Sequence, residues 1–101
     1  MDNVKPPSVV QQIARKALER RAKHGRGGTE VGVARARDLA NGKGISESTL
    51  KRMKSFFARH SVDPKDDKTS AASIAWGLWG GSAGRRWAIS QLAKMERARK
   101  K

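Results

Sequence analysis

Few side chains in this sequence have the type and spacing that catalysis requires. His24 and His60 are the only histidines, and the chain contains no cysteine. Without cysteine there is no disulfide, no thiol nucleophile and no zinc site built on thiolate ligands. The absence of cysteine also fits a reducing compartment or the interior of a particle. We therefore expect a protein that is not an enzyme and that needs no cofactor.

One cluster of side chains could bind a divalent ion. The ligands would be His60 and the aspartates of the segment that follows it, because carboxylates are ligands that hard cations prefer. That segment, from 61 to 70, is polar and contains a proline, which is typical of a solvated loop. The loop is the simpler interpretation, and we predict no metal site.

Charge is the strongest signal in the sequence. The chain carries 23 Lys and Arg against 9 Asp and Glu, which gives a formal net charge of +14 and a pI of about 11.4. Such an excess costs electrostatic self-repulsion in the folded state, so a polyanionic partner is the simplest reason for it. We expect that partner to be a nucleic acid, and charge alone does not separate DNA from RNA.

Hydrophobic periodicity predicts an all-α domain. The chain has 101 residues, of which 37% are hydrophobic, and can bury one modest core. Apolar residues recur at helical spacing between capping residues and glycines, and no segment has the period of a strand. We predict a compact bundle of four to five short helices, at about 9–23, 30–40, 47–60, 71–78 and 83–97. The remainder of this single domain, 1–101, is predicted as a flexible arm at 1–7, a polar loop at 61–70 and a frayed basic tail at 98–101.

The sequence gives no sign of a membrane partner. Residues 1–20 contain no apolar run of the signal-peptide type. The longest apolar stretch, 71–79, is far too short to cross a bilayer. We expect a cytoplasmic location.

The segment from 39 to 53 resembles the helix-turn-helix of DNA-binding repressors and regulators. In that family a small residue ends the first helix, a glycine follows four residues later, and an aliphatic residue, a serine cap and a Thr-aliphatic pair come next. The residues that match this spacing are Ala40, Gly44, Ile45, Ser46, Thr49 and Leu50. The physical roles are consistent with the resemblance: Gly44 can adopt the positive φ of the turn, and Ile45 and Leu50 can form a hydrophobic staple.

The resemblance implies that the third helix reads double-stranded DNA in the major groove. Its readers would be Ser46, Glu47, Ser48, Lys51 and Arg52. Arg52 would pair with guanine and Glu47 would accept a hydrogen bond from cytosine, while Lys51 and Arg59 would hold phosphates.

Two residues depart from the helix-turn-helix pattern. Lys43 stands where that family prefers a buried apolar side chain, and Gly42 ends the first helix early. An ordinary capped helix after a glycine-rich loop is therefore an equally good interpretation of this segment.

A second resemblance covers most of the chain. The segments 32–40, 53–60 and 76–88, the last of which reads WGLWGGSAGRRWA, are similar to an uncharacterised small basic domain of tailed bacteriophages. That domain occurs alone or appended to head-assembly and maturation proteins. The resemblance implies a viral setting, in the host cytoplasm or the virion interior, and implies no activity.

Two further groups of basic residues could contact phosphates. Glycines 80, 81 and 84 lead into a helix that opens with Arg85 and Arg86, which could form an anion nest or only a tight turn. Arg35 and Arg37 belong to basic residues on the first two helices that could form a ridge or simply solvated faces.

The prediction is a phage-encoded protein that binds nucleic acid, double-stranded DNA above all, mainly through phosphate contacts. The alternative is an assembly or protein-interaction module that docks on an acidic host or virion protein. That alternative requires the cluster of Trp76, Trp79 and Trp87 to be partly exposed. No heptad or dimer face indicates an oligomeric state.

Overall fold

The computed structural model of the chain describes residues 3–60 and 70–100. Within these ranges the fold is all-α, as the sequence predicts, and the only β-pairing is an isolated antiparallel bridge. The helices are α1 (Ser8–His24), α2 (Glu30–Ala40), α3 (Glu47–Arg59), α4 (Ala71–Leu78) and α5 (Gly81–Arg99). The bounds predicted for α2 and α4 are confirmed.

Three of the helices begin at a side-chain cap. The hydroxyl of Thr29 accepts a hydrogen bond from the backbone N–H of Gly32 at the start of α2. Ser46 and Ser70 cap α3 and α4 in the same way. Each cap satisfies one of the backbone N–H groups that a helix leaves without an internal partner, which fixes the residue where the helix begins.

The first and last helices are longer than predicted. The first residue of α1 is Ser8, one residue before the predicted start, and Pro7 occupies the cap position. Proline needs no hydrogen bond there because it has no N–H, and its fixed φ suits a helix start. The helix α5 runs to Arg99, so part of the predicted frayed tail is helical.

The core forms where α1 packs on α2 and α4, and α3 packs on α5. Small residues allow a close approach between α1 and α4. A Cβ at Gly77 would lie 2.9 Å from the Cβ of Ala17 and 2.7 Å from a guanidinium nitrogen of Arg20. Leu39, Leu50, Phe57 and Leu78 fill the interior with almost no exposed surface.

The N-terminal segment was predicted as a flexible arm, and its described part, residues 3–7, is instead attached to the domain. The backbone N–H of Val4 donates to the carbonyl of Ile45 over 2.9 Å, and the N–H of Ile45 donates to that of Val4 over 2.7 Å. The ring of Pro6 is fully buried, and its carbonyl accepts a hydrogen bond from the side chain of Gln11 over 2.8 Å. This segment therefore packs against the loop before α3.

Two of the three tryptophans lie in the core. Trp76 and Trp79 are 5% and 7% exposed, and Trp87 is half-buried against the same cluster. The exposure that a tryptophan-based docking surface requires is therefore missing at two of the three positions. Ile89 on α5 is 41% exposed.

In the described ranges, none of the helices combines the length and apolar character that a bilayer crossing requires. The segment 61–69, which holds most of the predicted polar loop, lies outside the described residues.

Candidate nucleic-acid interface

The connection between α2 and α3 does not form the tight turn of a helix-turn-helix. The backbone N–H groups of Gly42 and Lys43 donate to the carbonyls of Leu39 and Asp38, a Schellman motif at the end of α2. Its left-handed residue is Gly42, with φ of +68°, whereas the sequence suggested Gly44. The prediction for the turn is therefore wrong.

After the Schellman motif the chain is extended and leads away from α2. Ile45 pairs with Val4 in the antiparallel bridge, and Lys43 stays exposed with its Nζ 3.8 Å from a carboxylate oxygen of Asp38. As a result α2 packs on α1 and α4, while α3 packs on α5. The two helices do not pack directly against each other.

An open groove of about 800 Å³ lies instead where α2, α3 and α4 meet, and we call it the α3 groove. One wall is α3, the opposite wall is the start of α2, and α4 closes one side. The lining residues are Gly28, Thr29, Val31, Lys51, Arg52, Ser55, Phe56, Arg59, His60, Ala71, Ala72, Ala75 and Trp79.

Three of the predicted site residues come together in the α3 groove. Lys51, Arg52 and Arg59 all line it and are all exposed. Among the described residues that line the groove there is no acid. Lys51 has an ion-pair partner, since its Nζ lies 3.6 Å from a carboxylate oxygen of Glu47. Arg52 and Arg59 form no ion pair or hydrogen bond with any described part of the chain.

The α3 groove also contains a group of three stacked rings that the sequence analysis did not identify. Phe56 stacks with His60 at 4.4 Å between ring centroids and with Trp79 at 5.0 Å, at interplanar angles of 19° and 13°. His60 is the exposed member of the group. The available signal was the spacing of Arg52, Phe56, Arg59 and His60, which places them on one face of a helix.

The three predicted readers at the start of α3 are differently placed. The hydroxyl of Ser46 caps the helix and donates to the hydroxyl of Thr49 over 3.1 Å, and Ser48 is exposed. The carboxylate of Glu47 accepts a hydrogen bond from Arg99 and lies near Lys51. None of the three lines the α3 groove.

The pKa of the Glu47 carboxyl is lowered below its ordinary value. The main cause is the hydrogen bond that Arg99 donates, and the charges of Arg99 and Lys51 act in the same direction against a desolvation effect. The carboxylate is therefore engaged by protein cations, which compete with a cytosine amino group for its oxygens.

The basic residues of α1 and α2 mostly bind other parts of the protein. Arg15, Arg20 and Arg21 donate hydrogen bonds to the Ala40 carbonyl, the Ser73 hydroxyl and the Gly27 carbonyl, at 2.8, 3.4 and 3.0 Å.

The two predicted site residues of α2 also differ from each other. Arg35 lies 3.3 Å from a carboxylate oxygen of Asp38, whereas Arg37 is exposed. Neither lines the α3 groove, so the two arginines form no part of the candidate interface.

The glycines at the start of α5 belong to a tight turn between α4 and α5. Gly80 has φ of +98°, and a Cβ at Gly84 would lie 2.6 Å from the carbonyl oxygen of Trp79. Both glycines are buried, so the protein itself fills the space beside them. Arg85 is half-buried and Arg86 is exposed.

Arg86 lies at a second open groove, of about 870 Å³, between α1 and the α4–α5 turn. We call it the α1 groove. It is lined by Val9, Ile13, Lys16, Glu19, Arg20, Lys23, Ser73, Trp76, Gly77, Gly81, Ser82, Ala83 and Arg86.

Within the described residues there is no group of three or more His, Cys, Asp or Glu side chains that could hold a metal ion. The aspartates considered as ligands, Asp63, Asp66 and Asp67, lie outside the described residues. Comparison of the chain with protein-family models, curated proteins and solved structures found no match.

Proposed function

We propose that this protein binds nucleic acid and holds it mainly through phosphate contacts on the face of α3 that lines the α3 groove. The observation that carries the proposal is the grouping of Lys51, Arg52 and Arg59 along a groove with no acid among its described lining residues. Because Arg52 and Arg59 bind no described residue, their guanidinium groups are available for bidentate contacts with phosphate oxygens.

The phosphate backbone is common to DNA and RNA, so the proposal covers nucleic acid as a class. Double-stranded DNA was expected from the resemblance to a helix-turn-helix, and it stays among the ligands to be tested. A phage setting, in the host cytoplasm or the virion interior, rests on the second resemblance and is part of the proposal. No observation in the described residues favours the alternative of a protein-docking module.

The test is a salt series with a mixed-sequence duplex, a single strand and an RNA hairpin. If three phosphates of a duplex are contacted, affinity falls roughly 40-fold between about 50 and 200 mM salt. The variant Arg52→Gln/Arg59→Gln removes two of these contacts, so we expect weaker binding and a slope of log K against log salt that is smaller by about 1.8.

A matched control removes two charges from the α1 groove. Lys16 and Lys23 are exposed residues of α1 that line the α1 groove. The variant Lys16→Gln/Lys23→Gln therefore lowers the net charge equally, and we expect it to keep most of the salt slope. Equal losses in the two variants would contradict an interface on α3, and no binding at low salt would contradict nucleic-acid binding itself.

A further inference from the structure

We propose that the α3 groove binds single-stranded nucleic acid, with one unpaired base stacked on His60 and backbone phosphates held by Arg52 and Arg59. This inference rests on the proposed function and names the ligand class. It comes from the ring group and the apolar walls of the groove, which phosphate contacts alone do not require.

The ring group provides a flat surface whose orientation is fixed. Phe56 and Trp79 are each 7% exposed, so the outer ring, His60, is the one available to a ligand. The Nδ1–H of His60 donates to the carbonyl of Phe56 over 3.0 Å, which holds the imidazole parallel to the phenyl ring. Stacking of a base on such a ring strengthens binding by roughly 5- to 150-fold per base.

The cations are placed on either side of the ring group. Arg52 precedes Phe56 by four residues and Arg59 follows it by three, so both lie on its face of α3. A base stacked at His60 would then have its own backbone phosphates near the two guanidinium groups. This order of aromatic ring and flanking cations is typical of surfaces that bind single strands.

The remaining walls of the groove are mostly apolar and small. Val31 is 52% exposed at the start of α2, and Ala71 and Ala72 are exposed at the start of α4. These side chains leave room for a planar base, and a volume of about 800 Å³ is ample for one nucleotide. Because a paired base offers only its edges, contact with a ring face requires a base that is free of a duplex.

The experiment compares a labelled thymidine strand of about ten nucleotides, an abasic strand of the same length and a duplex, since about 4–16 nucleotides fill one single-strand site. The abasic strand keeps the phosphates and lacks the bases. We expect the thymidine strand to bind at least about fivefold more tightly than the abasic strand. Equal binding of the two strands would overturn this inference and leave the proposed function in place.

Variants of His60 test the stacking surface directly. His60→Ala is expected to weaken binding of the thymidine strand and to leave abasic binding unchanged, whereas His60→Phe restores the thymidine affinity because it keeps a flat ring. His24→Ala is the matched control, since His24 lies outside the α3 groove. Thermal unfolding verifies that each variant is folded.

Three outcomes would contradict the inference. If His60→Ala loses the same binding affinity for both strands, stacking is not involved. If the duplex binds more tightly than the thymidine strand, double-stranded DNA is the preferred ligand of the site. If no oligonucleotide binds at low salt, the proposed function fails as well.

Discussion

The arginines of α1 and those of α3 carry the same charge and have different partners. Arg15, Arg20 and Arg21 of α1 each donate a hydrogen bond to another part of the chain. Arg52 and Arg59 of α3 bind no described residue and line an open groove. Arg15 and Arg20 join elements that are far apart in sequence, and Arg21 binds the nearby loop after α1. Because they bind no described residue, Arg52 and Arg59 are available to a ligand.

This difference shows why net charge alone does not locate a binding surface. The α1 groove and the α3 groove are similar in size and both are lined by basic residues. The α1 groove also contains Glu19, and its Arg20 is engaged with Ser73. Of the two, the α3 groove combines an exposed aromatic ring with guanidinium groups that bind no described residue.

The largest expected effect is a loss of stability at the contact between α1 and α4, next to Arg20. Gly77→Ala would place a methyl group 2.9 Å from the Cβ of Ala17, so α1 and α4 would have to separate. We expect a loss of about 1–3 kcal/mol in the free energy of unfolding, and a fall in Tm of roughly 4–8 °C per kcal/mol. Circular dichroism during heating measures it.

The matched variant on the α3 side is Ser55→Ala, at an exposed helical residue that lines the α3 groove. It removes an exposed hydroxyl and should change stability by less than about 0.5 kcal/mol. A Gly77→Ala protein as stable as the wild type would show that the contact between α1 and α4 is looser than described.

A smaller loss of stability is expected when a single arginine is replaced by glutamine. Arg15→Gln removes the hydrogen bond to the carbonyl of Ala40 at the end of α2 and should cost about 1 kcal/mol, because a charge-assisted bond to a helix end is lost. Arg52→Gln should leave stability within about 0.5 kcal/mol. Urea denaturation gives both values. Identical midpoints in the two variants would show that the arginines of α1 and α3 contribute equally to stability.

The smallest expected change in stability is at Glu47, whose carboxylate forms ion pairs with Lys51 and Arg99. Because its pKa is lowered in the folded protein, the ionised carboxylate stabilises the fold above the ordinary Glu pKa, and this contribution is lost as the pH falls through the lowered value. We expect Glu47→Gln to be slightly less stable than the wild type at neutral pH and equally stable in acid. Urea midpoints across a pH series measure the difference, and a gap that persists in acid would point to lost packing instead.

The helix bounds were largely predictable because the interactions that set them are local. The caps at Thr29, Ser46 and Ser70 each join residues three apart. The Schellman motif at Gly42 is also local. Whether Gly42 or Gly44 adopts the left-handed conformation depended, however, on the path of the chain after α2. The pairing of Ile45 with Val4 decided it, and that pairing joins distant parts of the sequence.

For the candidate site, the sequence predicted that Lys51, Arg52 and Arg59 contact nucleic acid, and it gave no prediction of the ring group. His60 and Phe56 are four residues apart, but Trp79 reaches them only through the packing of α3 against the turn before α5. Glu47 was assigned to base recognition because nothing local shows that Arg99 of α5 binds it.

By itself the sequence determined the all-α class, the start and end of most helices and the excess of positive charge, since these follow from composition and from contacts within one or two helical turns. Only the tertiary structure decided which cations are free. The partners of Arg15, Arg20 and Glu47 lie 25, 53 and 52 residues away. A basic residue is available to a ligand only when folding has not placed a carbonyl or a carboxylate beside it.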